Sequence, residues 1–180
     1  SYGGYQAPRI SSAAAASDAI ETFDKSGDQS LDEDEIAACP AIHASFAKYD
    51  SNGDSSISSD ELIARFDSLF VDGATFTNLE CVVLQGGRPV SGARVKFTPE
   101  AFVGEGIFQA EGVTDRTGRA TVSVADQNVP EDFIDRNVIQ VAIYRVEIES
   151  GNSTSVFGHE VDLASRDGMN PKFDLTNAGR

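Results

Sequence analysis

Two acidic twelve-residue segments decide the fold of the first half of the sequence: DKSGDQSLDEDE at residues 24–35 and DSNGDSSISSDE at residues 50–61. Every odd position of both segments carries a side chain with an oxygen atom, and both segments end in Glu. Position 8 is apolar in both, Leu31 in the first and Ile57 in the second. Hard cations such as calcium are bound by about six to eight oxygen atoms. The repeated pattern therefore predicts two calcium-binding loops.

The two loops and their flanks, over about residues 13–70, resemble the EF-hand family. Phe23 and Tyr49 stand directly before the loops as the aromatic ends of the entering helices. The resemblance implies oxygen ligands from positions 1, 3, 5, 7, 9 and 12 of each loop, with the backbone carbonyl used at position 7. The implied ligands are Asp24, Ser26, Asp28, Ser30, Asp32 and Glu35 for one calcium ion, and Asp50, Asn52, Asp54, Ser56, Ser58 and Glu61 for the other.

Departures from the family pattern bear on what calcium would do. Position 6, usually Gly, is Gln29 in one loop and Ser55 in the other, so a left-handed backbone there costs roughly 1–2 kcal/mol. Only residues 36–49 separate the loops, so the helices between them must be short. The single methionine, Met169, lies outside the loops, whereas calcium sensors expose a Met-rich groove. We therefore expect modest affinity and a structural role for calcium.

The character of the sequence changes after residues 71–73, which we interpret as a linker. About seven short runs of β-branched and aromatic residues follow between turn signals, and they indicate strands. The longest predicted strand covers residues 138–149. We predict an extended tail at residues 1–12, an EF-hand pair at 13–73 and a β-sandwich at 74–180. The expected fold class is α+β with two domains, a short-helix EF-hand pair followed by an all-β Ig-like or transthyretin-like sandwich.

Residues 77–180 resemble the transthyretin-like and carboxypeptidase-regulatory-like β-sandwich domains of secreted bacterial proteins. The resemblance is carried by Val83, Gly87–Val90, Gly92–Val95, Thr98–Glu100, Thr114–Arg119 and Tyr144–Val146. Some transthyretin-like proteins are hydrolases of purine-breakdown intermediates that end in Tyr-Arg-Gly-Ser, whereas this chain ends in Thr-Asn-Ala-Gly-Arg. The sequence also has no GxSxG, HExxH or phosphate-loop motif. We therefore predict that the protein is not an enzyme.

The two cysteines, Cys39 and Cys81, fall one in each half of the chain. They are candidates for a disulfide that joins the halves; the alternatives are two buried free thiols or an intermolecular bond.

The chain begins at Ser1 without an initiator Met or a signal-like apolar stretch, as mature secreted proteins do. We expect a secreted protein, outside the cell or at its surface.

Charge is distributed unevenly along this acidic chain. The net charge of −15 argues against nucleic acid or anionic lipid as a partner, and no apolar run approaches the ~20 residues of a membrane span. Residues 1–76 carry 14 Asp and Glu against 4 Lys and Arg. Two calcium ions would relieve much of the repulsion there. With two separate domains, calcium removal would melt the first half and leave the sandwich folded.

The first ten residues combine Gly, Tyr and Pro without a helical period. We predict that this tail packs on a neighbouring subunit through Tyr2 and Tyr5, because aromatic rings give a large contact area for little entropy. The alternative is that the tail folds back on its own chain.

The expected function is a secreted calcium-binding structural protein, a subunit of an extracellular filament or surface assembly. The alternative function is a monomeric calcium-dependent adhesion adaptor that binds carbohydrate or protein.

Overall fold

The computed structural model describes residues 4–178, which form six α-helices and eleven β-strands. The helices are α1 (Ser12–Phe23), α2 (Glu33–Ile36), α3 (Pro40–Ala44), α4 (Phe46–Tyr49), α5 (Ser59–Leu69) and α6 (Arg166–Met169). The strands are β1 (Ser30–Asp32), β2 (Ser56–Ser58), β3 (Phe76–Gln85), β4 (Arg88–Pro89), β5 (Arg94–Pro99), β6 (Ala110–Val113), β7 (Arg119–Val124), β8 (Val138–Gln140), β9 (Ile143–Ser150), β10 (Ser153–Glu160) and β11 (Lys172–Asp174).

Local sequence signals set the ends of the two long helices. Ser11 caps α1, and its hydroxyl oxygen accepts a hydrogen bond from the Ala14 amide at 3.2 Å. Ser58 and Glu61 form a capping box at the start of α5, each side chain accepting from the other residue's backbone amide. The helices between the loops, α2 to α4, have only four or five residues each, as the loop spacing predicts. Between residues 4 and 178, each helix is too short or too polar to cross a membrane.

The strands after residue 75 form one nine-stranded sheet in the order β10-β9-β5-β6-β7-β3-β11, with β4 and β8 also paired to β3. Only β11 runs parallel to its neighbour in the pairings described; the rest are antiparallel. The predicted strand at 138–149 is broken at residues 141–142 into β8 and β9. These two pieces pair with different strands, β3 and β5, so the chain changes neighbours at the break and the sheet curls.

The expected two-domain fold class is wrong, because the chain is a single β-rich domain in which a curled antiparallel sheet and a few short helices share one core. Ala16 and Leu62 from the helices belong to the same buried cluster as Val83 and Tyr144 from the sheet. The physical reason is that helices this short cannot enclose a core of their own, so the sheet covers their apolar faces. The curled sheet also packs on itself, because Phe173 of β11 lies 6.1 Å from Phe97 of β5 and 5.2 Å from Phe157 of β10, between ring centroids.

Aromatic side chains connect the helices to the sheet. Phe102, in a 3₁₀ turn after β5, stacks on Phe66 of α5 with ring centroids 5.7 Å apart and meets the edge of Phe23 of α1 at 6.2 Å. At the sheet edge, α3 approaches β10 so closely that a Cβ added to Gly158 would lie 1.8 Å from the Ala41 nitrogen. The helix α3 is therefore packed directly on the sheet, and α1 and α5 pack on Phe102 in the turn that follows β5.

The predicted linker and the described part of the tail also pack within the chain. The Ala74 amide donates to the Pro8 carbonyl at 2.9 Å, which fixes the tail beside residues 71–73. The Tyr5 ring lies 5.3 Å from that of Phe76 and 5.4 Å from that of Phe133. For residues 4–10, these contacts favour the alternative in which the tail folds back; Tyr2 lies outside the described residues.

Both cysteines are buried free thiols, the alternative to the candidate disulfide. Cys39 contacts the Glu100 carboxyl group, whereas Cys81 lies in β3 opposite Ala120 of β7. Burial raises the pKa of the Cys39 thiol far above its ordinary value and the pKa of the Cys81 thiol to about 12. Both thiols therefore stay protonated and unreactive near neutral pH.

Candidate metal centre

Each predicted loop lies between two helices, and short strands join the two loops. Loop one, residues 24–35, connects α1 to α2, and loop two, residues 50–61, connects α4 to α5. The strands β1 and β2 pair antiparallel, with Leu31 opposite Ile57. Both of these side chains are fully buried in the core. The two loops are therefore held side by side, and their apolar position 8 anchors them in the fold.

The backbone at position 6 of both loops is left-handed, with φ of 66° at Gln29 and 68° at Ser55. Hydrogen bonds compensate for this conformation. The Gln29 amide donates to Asp24 Oδ2 at 2.8 Å, and the Ser55 amide donates to Asp50 Oδ2 at 2.9 Å. The first carboxylate of each loop therefore stabilises the left-handed turn, which a glycine at position 6 would adopt without strain.

The last glutamate of each loop reaches back across the loop. Glu35 Oε1 accepts from the amides of Lys25 at 2.9 Å and Ser26 at 2.8 Å. In loop two, Glu61 Oε1 accepts from the Ser51 amide at 3.0 Å. Glu35 and Glu61 are only 7% and 8% exposed. Both carboxylates are thus fixed at the inner side of their loops, where a bidentate ligand would stand.

Three carboxylates of loop one converge on one point. Oxygen atoms of Asp24, Asp28 and Glu35 all lie within 4.8 Å of one another, and among residues 4–178 this is the one triad of potential metal-binding side chains so close together. Three like charges at this separation repel each other unless a cation lies between them. The corresponding carboxylates of loop two are Asp50, Asp54 and Glu61; there the Asn52 amide group donates to Asp54 Oδ2 at 3.1 Å.

Hydrogen bonds keep several of these carboxylates ionised. Desolvation acts to raise the pKa of Asp24, but bonds from the amides of Gln29 and Gly27 outweigh it and lower the pKa. The amide and hydroxyl of Ser30 lower the pKa of Asp28. Asp24 and Asp28 are therefore negatively charged at neutral pH and able to bind a cation.

The remaining implied ligands close the loops and cap their exit helices. The Ser26 hydroxyl donates to Asp24 Oδ1 at 3.2 Å, and the Ser56 amide donates to Asp54 Oδ1 at 2.9 Å. Asp32 and Ser58, at position 9, are the N-caps of α2 and α5. All twelve implied ligand residues therefore lie in the two loops, and each offers only oxygen donors except Asn52, which also has an amide nitrogen. This chemistry fits calcium better than softer metals such as zinc or copper, which favour nitrogen and sulfur.

Sequence reasoning missed a buried charge cluster behind loop two. Arg65 Nη2, on α5, donates to Glu160 Oε1 at 2.9 Å and to Asp162 Oδ2 at 3.0 Å. Tyr49, the residue before loop two, donates its hydroxyl proton to Glu160 Oε2. Glu160 and Asp162 are both buried. The acidic pair at the end of a strand was the only signal in the sequence, and nothing local identifies Arg65 as its partner.

Comparisons of the chain with protein-family models and with curated proteins find no match. Function is therefore inferred from the geometry of the two loops and of the surfaces around them.

Proposed function

We propose that the chain is a secreted calcium-binding structural protein that binds two calcium ions, one in each loop. The observation that carries this proposal is the convergence of Asp24, Asp28 and Glu35 within 4.8 Å in a loop that is paired with a second loop of the same pattern. As in the EF-hand family that the loops resemble, Glu35 and Glu61 would each supply two oxygen atoms to an ion.

Calcium in this proposal stabilises the fold and does not signal. A sensor responds to calcium by opening a helix pair and exposing an apolar groove. Here the inner faces of α1 and α5 are occupied, since Phe23 and Phe66 pack against Phe102. Opening these helices would expose part of the common core, which is a large free-energy cost. The loops are therefore suited to fix the helices in place.

Isothermal titration calorimetry on chelator-stripped protein tests calcium binding. We expect a stoichiometry of two and dissociation constants on the order of 10⁻⁵ to 10⁻³ M, because the left-handed Gln29 and Ser55 are strained. Replacing the bidentate ligands, in the double variant Glu35→Gln with Glu61→Gln, should abolish binding at both sites. Zero binding by the unmodified protein, or full binding by this variant, would contradict the proposal.

The matched control is Asp34→Asn with Asp60→Asn. These exposed carboxylates stand one residue before the glutamates and are not among the implied ligands. The control removes the same amount of negative charge from the same loops. It should keep a stoichiometry of two, which separates loss of a ligand from loss of charge.

Assembly into an extracellular filament or surface structure is the second part of the proposal. Deleting residues 1–10 tests whether the tail mediates it, with light scattering in calcium as the measurement. If the tail joins subunits, the truncated protein stays small while the intact chain assembles. Equal assembly by both would contradict this part, and the contacts of Tyr5 with Phe76 and Phe133 would then account for the tail. The alternative, a monomeric adhesion adaptor, is favoured by a cleft between the short helices and the edge of the sheet.

A further inference from the structure

A cleft of about 870 Å³ opens where the short helices meet the edge of the sheet. Residues of α3, α4, α6 and of the strands β3, β7, β10 and β11 line it. Its volume falls in the range of roughly 300–1,000 Å³ that is usual for small-molecule sites. None of the twelve implied calcium ligands lines this cleft, so it is separate from the two loops.

Basic side chains are concentrated in the cleft. Of the 14 Lys and Arg residues in this chain of net charge −15, four line it: Lys48, Arg119, Arg166 and Lys172. Lys48, Arg166 and Lys172 are exposed, and they form no ion pair with the residues between 4 and 178. A concave surface that carries unpaired charge of one sign concentrates ligands of the opposite sign.

Two of the three carboxylates that line the cleft are hydrogen-bonded to an arginine. Glu80 Oε1 accepts from Arg119 Nη1 at 2.6 Å, and Glu160 Oε1 accepts from Arg65 Nη2 at 2.9 Å. Asp167 is the remaining lining carboxylate, and it has no cationic partner among the described residues. Over the whole lining, four Lys and Arg residues stand against the three carboxylates Glu80, Glu160 and Asp167, which leaves an excess of one positive charge.

The wall of the cleft is aromatic and neutral. Phe157 and Met169 line it and are half-buried. His159 adds little charge at neutral pH, because burial lowers its pKa and outweighs the hydrogen bond between its Nε2 and the Gly168 carbonyl oxygen at 2.8 Å, which acts to raise it. A site with cations at its rim and a flat apolar ring in its wall suits a ligand that joins anionic groups to a ring with an apolar face.

We propose that this cleft binds an anionic saccharide, a sugar that carries sulfate or carboxylate groups. Lys48, Arg166 and Lys172 pair with the anionic groups, and Phe157 packs against the face of the sugar ring. The volume is far larger than an inorganic anion needs. This inference goes beyond calcium binding and gives the adaptor function a ligand class.

Calorimetry with sucrose octasulfate as the probe tests the proposal, in a buffer with about 1 mM calcium so that both loops are supplied. We expect binding to the unmodified protein at physiological ionic strength. The triple variant Lys48→Ala, Arg166→Ala, Lys172→Ala should bind at least about tenfold more weakly, because its three charge-assisted contacts are removed. Uncharged sucrose and inorganic sulfate should also bind at least about tenfold more weakly.

The matched control is Arg88→Ala, Arg94→Ala, Arg116→Ala, which removes the same charge from exposed positions outside the cleft. It should bind sucrose octasulfate as the unmodified protein does. Equal weakening by both triple variants would overturn the proposal, since binding would then follow overall charge. Absence of binding, or equally tight binding of inorganic sulfate, would also overturn it. Failure of calcium to bind the loops would leave this result unaffected, so the two proposals fail separately.

Discussion

Removal of calcium is expected to lower the unfolding temperature of the whole chain in one cooperative transition. This differs from the expectation for two separate domains, in which only the first half melts. Leu31 and Ile57, the central residues of the paired loops, are fully buried in the core that also contains the sheet. Loss of order in the loops therefore removes one wall of the sheet's own core.

The buried charge cluster strengthens this coupling. Arg65 follows Glu61 by one helical turn and donates hydrogen bonds to both Glu160 and Asp162, whose shared cation it is. If α5 unfolded with loop two while the sheet stayed folded, these two buried carboxylates would lose their cation. An unpaired buried charge costs about 3–5 kcal/mol. Partial unfolding of the helical half is therefore unfavourable.

The size of the effect follows from linkage. A ligand present at 100 times its dissociation constant stabilises the folded state by about 2.7 kcal/mol, so two sites give roughly 5 kcal/mol. For a chain of this length, each kcal/mol changes the unfolding temperature by about 2–4 °C, so chelation should lower it by on the order of 10–20 °C. Calorimetric scans with calcium and with chelator measure this difference.

Far-ultraviolet circular dichroism follows the helices, and the near-ultraviolet tyrosine signal, to which the buried Tyr49 and Tyr144 contribute, follows the packed core. Helical and tyrosine signals should be lost together. The Glu35→Gln, Glu61→Gln variant should unfold at the lower temperature and ignore the chelator, whereas the Asp34→Asn, Asp60→Asn control should still respond to it. Two transitions, with the upper one unchanged by chelation, would contradict a common unfolding unit.

The elements that could be predicted from the sequence are those that depend on short-range patterns. The loops follow from side chains at fixed positions, and the pairing of Leu31 with Ile57 follows from the position that the two loops share. The short helices follow from the 14 residues between the loops. The predicted strands were found, although residues 138–149 form two strands, because alternation does not reveal where a strand changes its neighbour.

The features that could not be predicted depend on contacts between distant parts of the chain. Arg65 and Glu160 are 95 positions apart, and no local pattern connects them. The change of character at residues 71–73 suggested a domain boundary, although it marks only the end of the helices and the start of the sheet. The sequence pattern shows that an amphipathic helix or a half-buried strand has an apolar face. It does not show which of these faces pack against each other.

Replacing Gly158 by alanine tests the contact that most directly joins the helices to the sheet. The new Cβ would lie 1.8 Å from the Ala41 nitrogen and 2.1 Å from the Pro40 carbonyl carbon. Both are backbone atoms of α3, so no side-chain rotation can relieve the clash. The backbone of Gly158 is not left-handed, unlike that of most glycines in the chain, so alanine is tolerated there by the strand itself. Any loss of stability therefore measures the contact.

Alanine for glycine in a compatible backbone otherwise stabilises a protein by about 0.4–1 kcal/mol, because the unfolded chain loses entropy. Overpacking usually costs about 1–3 kcal/mol, and a clash between two backbones lies at or above the upper end. We therefore expect Gly158→Ala to lose about 3 kcal/mol or more of the free energy of unfolding, measured by urea denaturation in calcium. Ser155→Ala, in the same strand, is the control and should stay within about 0.5 kcal/mol of the unmodified protein. Equal urea midpoints for the two variants would show that α3 does not lie against β10. That result would also contradict a single core shared by the helices and the sheet.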